Sequence, residues 1–124
     1  MQSNGWTLNG FTNEASYGQF FRGWASQNDI ARLSTILKGS GTITIDYENA
    51  HSHDLENNIV RILVNGTPQH SLNRDERETF SISFSDGDEL VIEEHYSVLQ
   101  LHNVEIICDG NITSGDQCFF FTFI

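Results

Sequence analysis

The sequence predicts an antiparallel all-β sandwich, with about eight strands judged from the spacing of its turn signals. Three observations carry that expectation. Apolar residues alternate with polar ones at Val60, Ile62 and Val64, at Phe80, Ile82 and Phe84, and at Leu90 and Ile92, which is the period of a strand with one buried face. Asn65-Gly66 and Ser85-Asp86-Gly87-Asp88 punctuate these runs, and both supply the backbone angles of tight turns. The stretch with some helical character, Asp29 to Gly39, sustains no 3.6-residue period and reads as a strand.

Taken in order, the block from Gly5 to Ala25 carries Trp6, Leu8, Phe11, Tyr17, Phe20, Phe21 and Trp24. Trp6 and Leu8 flank Thr7, so a strand with Trp6 in the core is expected there. Gly10, Gly18 and Gly23 break the block into short pieces and disfavour a helix. Thr42 to Tyr47 is β-branched and alternating, a clear strand. Asn49 to Asn58 is polar and expected to be a loop. Val98 to Ile107 supplies a further apolar run, with Val104 and Ile106 alternating against Glu105. The tail, Cys118 to Ile124, ends in six residues rich in Phe, and is expected to pair inside a sheet, since an exposed strand of that composition is an aggregation edge.

A chain of 124 residues is the size of one domain, here residues 1–124. Nine Phe and a single Pro speak against disorder. Six Lys and Arg stand against 17 Asp and Glu, a formal charge of −11. Such a field repels phosphate backbones and anionic lipid heads, so neither nucleic acid nor a membrane surface is an expected partner. No apolar run approaches the length of a membrane-spanning helix. The first ten residues lack a charged segment followed by an apolar one, so no signal peptide is expected here, and a mature or excised domain is the preferred reading. An extracellular or cell-surface setting is favoured by Cys108 and Cys118, close enough in sequence to close a short disulfide loop, although two buried thiols remain the alternative. Asn65-Gly66-Thr67 and Asn111-Ile112-Thr113 match the glycosylation acceptor pattern, the first weakened by Pro68.

The segments Gly39 to Tyr47, Val60 to Gly66, Thr79 to Phe84 and Asp86 to Ile92 resemble, in order and pattern, the β-jelly-roll modules of the galactose-binding-like superfamily, to which many carbohydrate-binding modules belong. The resemblance implies a jelly-roll-like sandwich and a sugar-binding or adhesive module, often calcium-stabilised. It transfers no site residue.

Candidate site residues come instead from residue chemistry. Sugars stack their C–H faces on aromatic rings and hydrogen-bond to polar groups around them. Trp24, in a polar stretch with Arg22, Gln27, Asn28 and Asp29, is the first platform, and Tyr96, at a strand-to-strand turn, the second. Their expected polar partners are Asn28, Asp29, His53 and Asp54. His51 and His53 would share a face of an extended segment, as a transition-metal site requires. The spacing resembles the start of a cupin metal motif, but Glu56 follows too soon and the expected glycine is missing. Asp86 and Asp88 beside Gly87, and Asp46 with Glu48 near a strand end, are the carboxylates that could take calcium. Glu93 and Glu94 are adjacent, hence on opposite faces of a strand, and make a poor catalytic pair. There is no nucleophile elbow, phosphate loop or dinucleotide fingerprint, and Cys108 beside Asp109 is no activated thiol. The expected function is a non-catalytic carbohydrate-binding module or lectin taking a glycan. A structural or assembly module is the alternative, with the tail from Phe119 to Ile124 pairing to another chain in a homo-oligomer.

Overall fold

The computed structural model describes residues 6–17, 20–26, 29–50 and 58–109. Ten strands run through them: β1 Thr7–Asn9, β2 Asn13–Tyr17, β3 Phe20–Trp24, β4 Ile30–Ile36, β5 Gly41–Asn49, β6 Ile59–Val64, β7 Thr67–Leu72, β8 Arg77–Phe84, β9 Glu89–His95 and β10 Val98–Cys108. They form two five-stranded sheets, ordered β1-β4-β9-β6-β7 and β2-β3-β10-β5-β8, and every pairing is antiparallel. The expected sandwich is present, with two strands more than the turn spacing suggested. The extra strands lie at sheet edges. Asn-Gly announces the hairpin between β6 and β7, and Asn65 and Gly66 both take positive φ, 50° and 80°, as a type I′ turn requires. The returning strand, β7, shows no apolar alternation because it is an edge strand, exposed except at His70 and Leu72 and carrying Pro68 where an edge tolerates it.

The core lies between the sheets. Phe21, Ile43, Ile45, Tyr47, Leu99 and Leu101 from one sheet meet Leu33, Val60, Ile62, Leu72, Leu90 and Ile92 from the other, with Trp6 buried beside them as expected. The burial of alternate residues along β5 is unbroken from Gly41 to Asn49. Asn49 therefore closes a strand rather than opening a loop. Its side-chain amide donates to Asn58 Oδ1 at 2.7 Å, and both residues are buried. Gly23 does not break the N-terminal block but sits inside β3. A Cβ there would lie 2.5 Å from the Phe11 ring, which packs edge-on against Phe21 at 5.3 Å between centroids.

Along β10 the register to β5 shifts between Leu101 and Asn103. Leu99 and Leu101 point inward before the bulge and Val104 after it, so one extra residue reverses which positions face the core. Where the two sheets' edges β7 and β8 approach, the gap is closed by polar contacts. The Tyr47 hydroxyl lies 2.6 Å from His70 Nδ1, His70 Nε2 lies 2.9 Å from Glu78, and the His70 ring stacks on Phe80 at 4.9 Å. Cys108 is disulfide-bonded. Cys118 and the apolar tail lie outside the described residues.

Candidate functional site

The strand ends that close β1, β3, β5, β7 and β9 and open β2, β4, β6, β8 and β10 all lie at one end of the sandwich. Trp24 closes β3 there, opposite Val98, the first residue of β10. Tyr96 lies in the turn just before β10, at φ 43°, a conformation uncommon for a bulky side chain. The Ala25 amide donates to the Ser97 carbonyl at 3.1 Å, tying the exit of β3 to that turn. Asp29, exposed, precedes β4, whose first residue Ile30 pairs with His95. The structure thus brings Trp24, Asp29 and Tyr96 to the same end. Asn28, His53 and Asp54 lie outside the described residues, as do His51 and Glu56.

Trp24 is 36% exposed. Its side chain projects from the outer face of the second sheet, in phase with Arg22, where β2 and β3 pair Asn13 with Trp24 and Ala15 with Arg22. Around it is a groove of about 350 Å³, lined by Asn13, Glu14, Ala15, Arg22, Trp24 and Val98. Trp24, Ala15 and Val98 give it apolar walls; Arg22 and Asn13, in phase with Trp24, give it polar ones, while Glu14 pairs with inward-facing Gly23 and alternates to the other face. Arg22 was legible from the sequence beside Trp24. Asn13 and Glu14 were not, because β2 has no apolar alternation to mark it as a strand.

The same outer face continues across the sheet to the carboxylates considered for calcium. Asp46 accepts two hydrogen bonds from Arg77, at 3.1 and 3.0 Å, and that pairing holds its carboxyl below the usual range. Glu48 lies 2.8 Å from His102 Nε2. Asp86 and Asp88 are at the opposite end. Asp86 accepts from the Gly39 amide at 2.8 Å; Asp88 accepts from the Ser85 amide at 2.9 Å and from Asn65 at 3.0 Å, which together lower its pKa. These four carboxylates already serve as turn and strand fasteners. Among the described residues no three His, Cys, Asp or Glu are grouped as a metal site.

Two further carboxylates sit side by side on β9. Glu93 faces outward, 6% exposed, between Arg32, Arg61 and His95 at 2.8 Å each. Burial alone would raise its pKa; the hydrogen bonds from His95, Arg61 and Arg32 outweigh it and hold the group down to about 2. Glu94 faces the core, fully buried, and neither of its carboxyl oxygens has a well-formed hydrogen bond. Burial pushes it up to about 9, against a weaker opposing pull from the amides of Leu99 and Ala25. The opposite-face reading of the pair is what the structure displays.

Compared by sequence, the chain matches no protein-family model and no curated protein. Solved structures resemble it in fold. The secreted serine protease VesC from Vibrio cholerae aligns with a TM-score of 0.64 and 8% identity, over 78% of this chain and 24% of that one. The salicylyl-acyltransferase SsfX3 from a tetracycline biosynthetic pathway aligns at 0.54 and 15%, over 92% and 38%. A CBM35 from Paenibacillus barcinonensis aligns at 0.49 and 15%, over 85% and 94%. This chain therefore spans well under two thirds of the first two proteins' length. What the first two matches share with it is the antiparallel β-sandwich, a fold that hosts unrelated chemistries.

Proposed function

We propose that the chain is a non-catalytic carbohydrate-binding module that takes a glycan in the groove beside Trp24. The observation that supports this most is the indole itself. A Trp left 36% exposed on a sheet face, over a groove with both apolar and hydrogen-bonding walls, is the arrangement a sugar ring needs: a flat apolar platform with polar groups at its rim. Tyr96 and Asp29 would extend the site toward the loop end. A secreted or cell-surface setting belongs to the same proposal, since the disulfide at Cys108 suits an oxidising compartment.

A glycan array followed by titration of the best ligand tests it. Trp24→Ala is expected to weaken binding by about 30-fold, the loss typical of a central aromatic anchor, without lowering the thermal midpoint, because the side chain is outside the core. Unchanged affinity in a folded Trp24→Ala variant would remove the groove from the site.

Calcium enters as an ion to be tested. To ligate it, Asp46 and Glu48 would have to release Arg77 and His102, and calcium prefers six or more oxygen ligands. Sugar affinity is therefore expected to be unchanged by a chelator. Loss of binding on chelation, restored by added calcium, would put the ion in the site.

A further inference from the structure

Arg22 lines the groove without a counter-ion. Arg32, Arg61 and Arg77 are each held by a carboxylate; among the described residues Arg22 makes no ion pair and no hydrogen bond. The register shows why. On the outer face its neighbours are Ala15 on β2, Gln100 on β10, and Phe20 and Trp24 two residues away in either direction along β3. None of these carries a charge. Glu14 pairs with Gly23 and so alternates to the other face. Glu48 lies beyond Gln100, on β5, and is already 2.8 Å from His102 Nε2. In a chain with 17 acidic residues against 6 Lys and Arg, this exposed guanidinium is flanked by uncharged side chains. Its five N–H donors are unspent beside the indole.

A guanidinium fork matches an oxyanion, which it can hold through two parallel N–H···O bonds strengthened by charge. A sugar hydroxyl offers it a weaker, neutral acceptor. Trp24 and Arg22 share a strand phase, and at about 3.3 Å of rise per residue they leave the sheet about 7 Å apart. A sugar ring stacked on the indole can therefore hold an acidic substituent over the guanidinium. The formal charge of −11 disfavours polyanions, whose repulsion grows with every charge they carry. A single acidic group instead meets Arg22 at contact, while remote carboxylates act across a screening length of about 8–10 Å. We infer that the groove selects glycans whose stacked sugar carries one oxyanion substituent, a carboxylate or a sulfate, with Arg22 as the specificity-determining residue. This inference rests on the carbohydrate-binding reading above and names the ligand class of that same groove.

The test uses the full chain and three oligosaccharides that share the backbone of the strongest array ligand: the neutral parent, a uronic-acid form and a sulfated form. Affinities are measured by titration at one ionic strength. At least one acidic form is expected to bind about five- to tenfold more tightly than the parent; whether it is the uronate, the sulfate or both names the source of the oxyanion. Arg22→Gln keeps a donor and removes the charge. It is expected to bring the three affinities together, to leave that of the neutral parent within about twofold, and to leave the thermal midpoint unchanged, because Arg22 is exposed and holds nothing in place. A neutral parent that binds the native chain as tightly as both acidic forms overturns the inference and leaves the carbohydrate-binding reading standing. So does a preference for the acidic forms that survives Arg22→Gln, since the charge would then be read elsewhere. No binding of any form overturns both.

Discussion

Replacing Glu94 by Gln is expected to remove most of the loss of stability that the protein suffers as pH rises from about 5 to 9. Glu94 is fully buried, and among the described residues neither of its carboxyl oxygens has a hydrogen-bond partner. Burial raises its pKa from 4.5 to about 9 in the folded chain. A raised folded-state pKa means that the native state holds the proton more tightly than the unfolded one. The associated stability is fully present below the unfolded value and is lost as pH climbs toward the folded one. At 1.36 kcal/mol per unit, the loss between pH 4.5 and 7 is on the order of 3 kcal/mol. Urea denaturation of the native and Glu94→Gln chains at acid, neutral and alkaline pH would read this directly. The two should diverge with rising pH, the variant being the more stable at the alkaline end. Parallel curves would show that Glu94 titrates as an ordinary carboxyl.

Its neighbour acts in the opposite sense. Glu93→Ala is expected to cost about 2–3 kcal/mol at neutral pH, below the 3–5 kcal/mol of a fully buried broken pair. The discount reflects Arg32 and Arg61, 49% and 35% exposed, which can turn to water when the carboxylate is gone. Glu93's folded pKa is depressed, from 4.5 to about 2. Its contribution is therefore present above the unfolded value and lost as pH falls through the folded one. The gap between native and variant stability should close in acid, over that window. A gap that persists at the lowest pH would assign the loss to packing rather than to the ion cluster. Adjacent residues on one strand thus govern the acid and alkaline limbs of one stability profile.

The central strands were legible because each buries one face against the core. Val60 and Ile62, Leu90 and Ile92, and Ile43, Ile45 and Tyr47 all advertise the two-residue period. The edge strands β2 and β7 bury little and left no such mark. The bulge in β10 was written in the change of phase from Leu99 and Leu101 to Val104 and Ile106, once one knows to look for a reversal. Glu94 also left a trace: it continues the inward phase of Leu90 and Ile92, a charge at a core position. For the site, Arg22 and Trp24 share a strand phase and could be paired from sequence. Glu14 and Asn13 could not, since only tertiary pairing brings β2 beside β3. Asp46, Glu48, Asp86 and Asp88 looked like spare carboxylates because their partners, Arg77, His102 and the turn amides, are distant or in the backbone.

The middle strand of one sheet is β9 and that of the other is β10. These are also the last two strands of the described chain. Everything made earlier during synthesis, from β1 to β8, waits for them: β4 and β6 have no common neighbour until β9 arrives, and β3 and β5 none until β10 does. A ribosome-bound chain would hold eight strands with neither sheet able to close, and its hairpins would carry bare apolar faces for that interval. Folding is then a late event, triggered by the hairpin that turns at Tyr96 and Ser97 and delivers one keystone to each sheet. Such non-local assembly is slow, and a truncation before that hairpin would leave the groove beside Trp24 without Val98 and without the strand that holds β3 in place.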